Sequence, residues 1–578
     1  MSRQLQPEPY TAWRLLKAYW QSEYRKSAWV FLVAVLIMSM VLVGMEVLFT
    51  DWYNYFYNAL QDYDWHGALD LILIFIFLAG VSIILAVYRY YLQSFLALRW
   101  RRWLTRQFIN RWLEKRSYYY LEDFNDLTDN PDQRIQEDIN SLVNMSLSLL
   151  VGMLSAIVTI LAFVVVLWEL SGTLTIPLGT LGKLHIPGYL VWVAIMYAAI
   201  GTTVTFKIGR PLIMLNFEQQ RREANFRFAA IDLRSHAEHV ALYRGEEHQK
   251  TILNTIFGGV LENWYAIILR QKLLLWFTAG YNQVSVIVPL AVALPNYFNK
   301  VFKLGGLIQT LSAFGRIQDA LSFIVNSYTT IAEWQAVMRR LLTFLNRIYD
   351  VEREAQKSNH FSYSVTPQNK IAVENVTIFT PNNEMLLQNI SQEFVHGRHY
   401  WIKGNSGIGK STFVRVLAGI WPYGSGAIRF PKTQSVMYIP QRSYMPLGTL
   451  QEALLFPDSI FPVSEEELKQ LLHDCDLPNL ANELQHVTIW SEHLSPGELQ
   501  RIAFVRVLLH KPDWVFLDES TSALDLTHEQ QLYRLLKERL PNCSLVSIGH
   551  RPSLDGYHDY KVDLSQYSVS RSVRAHAE

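Results

Sequence analysis

Cysteine is nearly absent. Cys475 and Cys543 are the only two in 578 residues, and neither has metal-ligand spacing. That excludes a disulfide framework and a cysteine-held metal centre, and it fits a reducing compartment for the part of the chain that carries them. Net charge is equally scarce: 52 Lys and Arg against 51 Asp and Glu leave a formal +1. Without a general attraction to polyanions, nucleic acid is not an expected partner. Internal repeats and low-complexity tracts are missing too. The segment Met1 to Ser27 lacks a short apolar core ahead of a small-residue cleavage site, so a removed leader is not expected.

Apolar sequence is what the chain has in quantity, and it is unevenly spread. Half of the residues are hydrophobic, and the long uncharged stretches lie before about residue 325. A chain of this length exceeds a single core, so a membrane part followed by a soluble part is expected. A helix needs roughly 20 apolar residues to cross a hydrocarbon layer. Stretches at about 28–50, 71–93, 141–168, 186–206 and 273–299 meet that length, although Pro289 and Pro295 predict a kink or an early end in the last. A sixth, 304–325, is interrupted by Arg316 and Asp319, three apart on one helical face and so placed to pair.

Basic residues orient these spans. None occurs from Asp51 to Asp70, whereas Arg99, Arg101, Arg102, Arg106, Arg111, Lys115 and Arg116 open the next loop, and 207–272 is rich in both types. Those two loops are expected in the cytosol, with the N-terminus inside and the chain returned to the cytosol before the soluble part. Many Trp and Tyr near the span ends serve as interfacial anchors. Apolar residues at helical spacing in Arg99 to Glu114 and Phe217 to Arg244 predict that the spans continue as long intracellular legs. Asp129-Asn130-Pro131-Asp132-Gln133-Arg134 has turn chemistry followed by a helix start, the pattern of a leg that reverses.

Little periodicity marks 351–370 as a linker. Beyond it, strand-like Lys370 to Phe379, strand-like Ser391 to Lys403, a glycine loop and a helix from Lys410 begin an α/β pattern. The domains expected are therefore 1–350 in the membrane, a linker over 351–370, and a soluble domain over 371–578.

Gly404-Asn405-Ser406-Gly407-Ile408-Gly409-Lys410-Ser411, followed by Thr412, matches the phosphate loop G-x-x-x-x-G-K-[ST] between a strand and a helix. Its backbone N–H groups cradle phosphate oxygens, Lys410 neutralises the β and γ phosphates of ATP, and Ser411 offers a hydroxyl to Mg²⁺. Downstream, Trp514-Val515-Phe516-Leu517-Asp518-Glu519 is an apolar strand ending in two carboxylates. Asp518 is placed to hold the metal, and Glu519 to act as general base on water.

Five ordered motifs then carry a family resemblance. Leu494-Ser495-Pro496-Gly497-Glu498-Leu499-Gln500-Arg501 resembles the signature of ABC ATPases, and Ser522-Ala523-Leu524-Asp525 resembles their D-loop. Gln441 is similar to the glutamine that reaches the metal and nucleotide, and His550 to the switch histidine. In the membrane part, Trp100-Arg101-Arg102-Trp103-Leu104-Thr105, Tyr118-Tyr119-Tyr120 and Asn130 to Ile139 resemble the bacterial YddA and BacA-related transporters, relatives of the peroxisomal fatty acyl-CoA transporters. The resemblance implies a six-helix, all-α transmembrane domain of ABC exporter type followed by an α/β ABC ATPase domain. It implies a homodimer in the bacterial inner membrane, embedded in lipid, in which Lys410 of one copy and Ser495 with Gly497 of the other grip the same ATP. It further implies ATP-driven movement of a small molecule or peptide, with cobalamin or peptide uptake known among members. Export of lipid, acyl-CoA or drugs is the alternative, and an ATP-switched signalling or assembly partner is the alternative from another class.

Three positions depart from the family pattern. Pro496 replaces the first signature glycine, Glu498 replaces the final glutamine, and Thr380 stands where an aromatic residue normally stacks on adenine, leaving Phe379 as the substitute.

Overall fold

A computed structural model describes residues 10–123, 131–177, 183–458 and 462–568. The chain divides into two compact units. One holds the helices up to Leu113 and those up to Tyr349; the other holds the segment from Glu114 to Asp123 together with the chain from Asp350.

Among the described residues, five helical segments are long and apolar enough to cross a membrane: Arg25–Gln61, Trp65–Leu121, Pro131–Ser171, Tyr189–Ser235 and Glu246–Phe298. Side chains such as Leu73, Ile76, Phe77 and Ile84 face outward from the second. Lipid is the solvent that makes such a surface favourable. The last two helices run far beyond a bilayer's thickness, 47 and 53 residues, as intracellular legs require. Pro289 and Pro295 both lie inside Glu246–Phe298, which ends only at Phe298, so of the expected kink or early end the early end is not found.

The sixth stretch differs from its expectation. Its helix is Leu304–Leu321, and the chain then passes through a short helix, Phe323–Asn326, into Tyr328–Ser358. Arg316 pairs with Glu46 at 3.1 Å, not with Asp319. A polar ladder ties this helix to the first span: Gln309 Nε2 donates to Asp51 Oδ1 at 2.8 Å, Asn54 Nδ2 to Gln309 Oε1 at 2.7 Å, and Gly305 N to Asn58 Oδ1 at 2.9 Å. Paired in this way, polar groups cost little at membrane depth, and a weakly apolar segment is held by its neighbour. Ala313, Phe314 and Ile317 complete the packing in a core with Phe163, Leu167 and Tyr189. In the legs, buried Asp138 accepts from Arg340 at 2.6 and 2.9 Å and from Arg134 at 2.9 Å. Asp129 and Asn130, part of the expected reversal, lie outside the described residues.

The second unit is built on a five-stranded parallel sheet in the order Tyr560–Asp563, Tyr400–Lys403, Ser544–Ile548, Trp514–Asp518, Val436–Ile439. Both faces are covered, and alternation divides each strand between two cores. Trp514 and Phe516 join one core with Phe413 and Val416, while Val515 and Leu517 join another with Phe504 and Val507. A second sheet is ordered Asn359–Thr366, Gly424–Pro431, Lys370–Phe379, Met385–Val395. Two expectations are corrected here. Ser391 to Lys403 is not one strand, because the chain turns after Val395 and re-enters at Tyr400. The supposed linker is regular: 351–358 completes a helix, and Asn359–Thr366 pairs with Gly424–Pro431. It lies at the sheet edge, and within it Phe361, Tyr363 and Val365 alternate with Ser362, Ser364 and Thr366. Lys115 and Arg116 adopt positive φ, 53° and 61°, and start the short helix Ser117–Asp123. There Arg116 Nη1 donates to Gly419 O at 2.9 Å, and Ser117 Oγ to Glu352 Oε1 at 2.8 Å.

Candidate functional site

Four neighbouring parallel strands end at one edge, and each delivers part of the site. Lys403 leads into the glycine loop, Ile439 toward Gln441, Asp518 into Glu519, and Ile548 toward His550. Strand carboxyl ends are where open α/β sheets leave room for a ligand.

The loop is shaped by glycine. Gly404, Gly407 and Gly409 have φ of 151°, 75° and 106°, the last immediately before the helix Lys410–Leu417. Side chains other than glycine rarely adopt these angles, and the turn they make points N–H groups and the helix start toward one spot. Asn405, Ser406 and Gly407 are exposed, Ile408 anchors the loop in the core, and Ser411 and Thr412 lie half-buried on the first turn. Lys410 is buried, and its ammonium folds across the loop, 3.0 Å from Gly404 O, from Asn405 O and from His550 Nε2. Two of its hydrogens are thus spent on loop carbonyls, at the place where an anion offers better acceptors. Burial lowers the Lys410 pKa, opposed by Glu519 and Asp518.

The carboxylates complete the cluster. Ser411 Oγ donates to Asp518 Oδ1 at 3.0 Å, and burial raises the Asp518 pKa against that bond. Glu519 takes a positive φ, 48°, and its carboxylate accepts from Gln441 Nε2 at 2.9 Å and lies 3.5 Å from His550 Nε2. A non-glycine residue in the left-handed region stores strain, a feature concentrated at functional sites. Ser411, Asp518 and Gln441 supply a hydroxyl, a carboxylate and an amide, the oxygen-rich donors that magnesium shares with phosphate. Among the described residues no group of three or more His, Cys, Asp or Glu assembles a cation site from protein alone.

The remaining expected residues lie elsewhere. Ser495 caps the helix Pro496–His510 and forms a capping box with Glu498, whose carboxylate accepts from Ser495 N at 2.8 Å and Ser495 Oγ at 2.7 Å. Those bonds hold the Glu498 pKa below its ordinary value. Pro496 occupies the first helical position, where its missing N–H would have had no intrahelical partner. Gly497 faces Ala523 O, which a Cβ there would meet at 3.4 Å, and Asp525 caps Leu526–Arg539. No hydrogen bond among the described residues joins Ser495, Gly497 or Glu498 to the glycine loop. Phe379 packs half-buried on the sheet and borders a cavity of about 380 Å³ with Thr380, Pro381, Tyr423 and His360.

Sequence reasoning gave no tying role to the residues that hold these segments together, although Gln500 stands within the signature-like run. Gln500 donates to Ser522 Oγ at 3.1 Å and accepts from Ala523 N at 2.9 Å. Arg551, next to His550, donates to Leu524 O at 2.7 Å and Ser522 O at 2.8 Å, and reaches the fully buried Glu529 at 3.4 Å. Arg506 binds Ala453 O and Tyr444 O, joining its helix to the segment after Gln441, and burial lowers its pKa to about 10. The signal for Arg506 was a lone cation within the apolar run Ile502 to Leu509, because a buried charge needs partners.

Comparison with known proteins gives consistent matches. Residues 15–298 match the family model of ABC transporter transmembrane region 2, and residues 387–522 that of the ABC transporter. The chain is 32% identical over 553 residues to the inner membrane ABC transporter ATP-binding protein YddA of Escherichia coli, covering 95% of this chain and 96% of that one. It is 34% identical to an uncharacterized ABC transporter ATP-binding protein of Haemophilus influenzae, covering 92% and 88%. The lysosomal cobalamin transporter ABCD4 of Homo sapiens is similar at 26% identity, covering 88% and 87%. In fold, the chain resembles a bacterial Atm1-family ABC exporter with ATP bound, with a TM-score of 0.73 and 17% identity over 96% of this chain and 99% of that one.

Proposed function

Because the chain belongs to the ABC transporter family, with a transmembrane region followed by an ATPase domain, we propose that it is a homodimeric, ATP-driven transporter of the bacterial inner membrane. Its proposed cargo is a bulky hydrophilic or amphipathic solute, with cobalamin the first candidate and peptides the second. The observation that carries the hydrolytic part is the contact cluster of Lys410, His550, Glu519 and Gln441 beside the Ser411–Asp518 pair.

In this reading Lys410 gives up its two loop carbonyls for the β and γ phosphate oxygens of ATP, and the loop N–H groups hold the remainder. Glu519 takes the proton of the attacking water, held from two sides by Gln441 and His550. Ser411, Asp518 and Gln441 are the residues for magnesium, which supplies charge neutralisation across the phosphates when bound. Ser495 and Gly497, away from the loop of their own chain, serve the ATP of a second copy. The capping box orients their helix start toward that phosphate, and Pro496 removes no donor that the helix uses.

Similarity to a cobalamin transporter supports the cargo choice. The test is substrate-stimulated turnover. Purified protein in lipid should hydrolyse ATP faster when cobalamin is added on the side from which it is carried. Unchanged turnover with cobalamin, and stimulation by peptides, would transfer the cargo assignment to peptides.

A further inference from the structure

Apart from the cluster at the strand ends, the imidazole of His528 is held from both sides by carboxylates. His528 lies in the first turn of Leu526–Arg539. Its Nδ1 is 2.8 Å from Asp525 Oδ1, the cap of that helix, and its Nε2 is 2.9 Å from Asp476 Oδ2, just after the helix Glu465–Asp474. An ionised carboxylate only accepts, so both contacts are satisfied as hydrogen bonds only when both ring nitrogens donate, that is, in the imidazolium form. Asp476 is itself fixed in the left-handed region, with φ 57°. Arg501 Nη1 donates to its carbonyl at 2.9 Å and to its carboxylate at 3.0 Å. The charged groups facing His528 are thus Asp525 on its own helix, Asp476 from the preceding turn and Arg501 from Pro496–His510. Hydrogen bonds to the two carboxylates raise its pKa, against modest burial and the repulsion of Arg501.

The position of these contacts gives them meaning. Arg501 is on the helix that presents Ser495 and Gly497, and Asp525 ends the segment that follows Glu519. We propose that His528 is a positioning residue for ATP hydrolysis: an imidazolium that couples the Ser522 to Asp525 segment, through Asp476 and Arg501, to the helix bearing Ser495 and Gly497. The proposal rests on the hydrolytic reading above, in which both segments meet nucleotide in the dimer. Protonated, the ring holds the two segments in one register; deprotonated, it can donate to only one carboxylate and the coupling is lost.

The test is the ATPase pH profile of the full chain in lipid, from about pH 6 to about pH 9. Wild-type kcat should fall as pH rises through the raised imidazole pKa. His528→Gln should lower kcat at the acid end by roughly three- to tenfold, the size of a charged-network coupling, with KM for ATP unchanged and the alkaline fall removed. His528→Arg, charged throughout, should recover most of the rate and stay flat across the range. Asp476→Asn should lose as much as His528→Gln, and the double variant no more than either. A His528→Gln profile that tracks wild type, an Arg variant as slow as the Gln variant, or additive losses would each overturn the proposal. Failure of the underlying hydrolytic reading has a different sign: undiminished turnover in Glu519→Gln, whatever His528 does.

Discussion

Glu519 carries the proposed hydrolytic chemistry in one side chain. Its backbone is held at positive φ so that the carboxylate meets Gln441 and His550 at the edge of the sheet. Glu519→Gln keeps the shape and removes the proposed base. Nucleotide affinity should therefore persist while turnover falls by roughly 10²–10⁴-fold, measured as ATP binding and phosphate release on the same preparation. Glu498 makes a contrasting case. Its hydrogen bonds to Ser495 hold its pKa below the ordinary glutamate value, so its contribution to stability is present above the unfolded-state pKa and is lost as pH falls through the lowered folded-state one. Glu498→Ala should cost about 0.5–1 kcal/mol near neutrality, with the difference from wild type shrinking on acidification, in thermal melts of the detergent-solubilised protein. The glycine loop, Asp518 and Glu519 were legible in the sequence because their chemistry is local, a turn or a strand end. Arg551, Glu529 and Gln500 were not, because their meaning lies in carbonyls and hydroxyls far along the chain.

Between elements, the decisive contacts are polar ties on apolar scaffolds. Arg551 satisfies two carbonyls between Ser522 and Leu524 and faces the buried Glu529, which also accepts from Thr521 at 2.9 Å. Arg551→Ala leaves that carboxylate without its cation. A loss of roughly 1–3 kcal/mol is expected in the melting of the full chain, discounted because the guanidinium is partly exposed. In the membrane unit, a Cβ on Gly305 would overlap the carbonyl oxygen of Asn54, while one on Gly80 meets nothing within 4 Å. Gly305→Ala should destabilise by about 1–3 kcal/mol and Gly80→Ala should not, compared by melting temperature in one detergent. Uncharged runs of sufficient length marked five helices from sequence alone. The sixth was blurred because its stability comes from Asp51, Asn54 and Asn58 on another helix, which no local hydropathy registers. The strand Asn359–Thr366 was mistaken for a linker for the same reason: an edge strand borrows its order from Gly424–Pro431.

On the scale of the whole molecule, one chain supplies one glycine loop and one signature helix, and no hydrogen bond among the described residues joins the two. A second copy completes each site in the proposed assembly, which makes ATP turnover and solute movement properties of the dimer. The family, the two-part architecture and the nucleotide chemistry were legible as ordered motifs. Cargo was not, since it depends on which side chains of many helices line a shared path. The measurement that bears most directly on ATP-driven transport uses proteoliposomes loaded with labelled cobalamin, with Mg-ATP added outside so that only outward-facing ATPase domains are energised. Phosphate release and label are followed together, and Glu519→Gln is run in parallel. The expected result is ATP-dependent loss of label from the lumen, toward the ATPase side, in wild type and not in the variant; ATP hydrolysis at full rate with label retained would contradict cobalamin uptake.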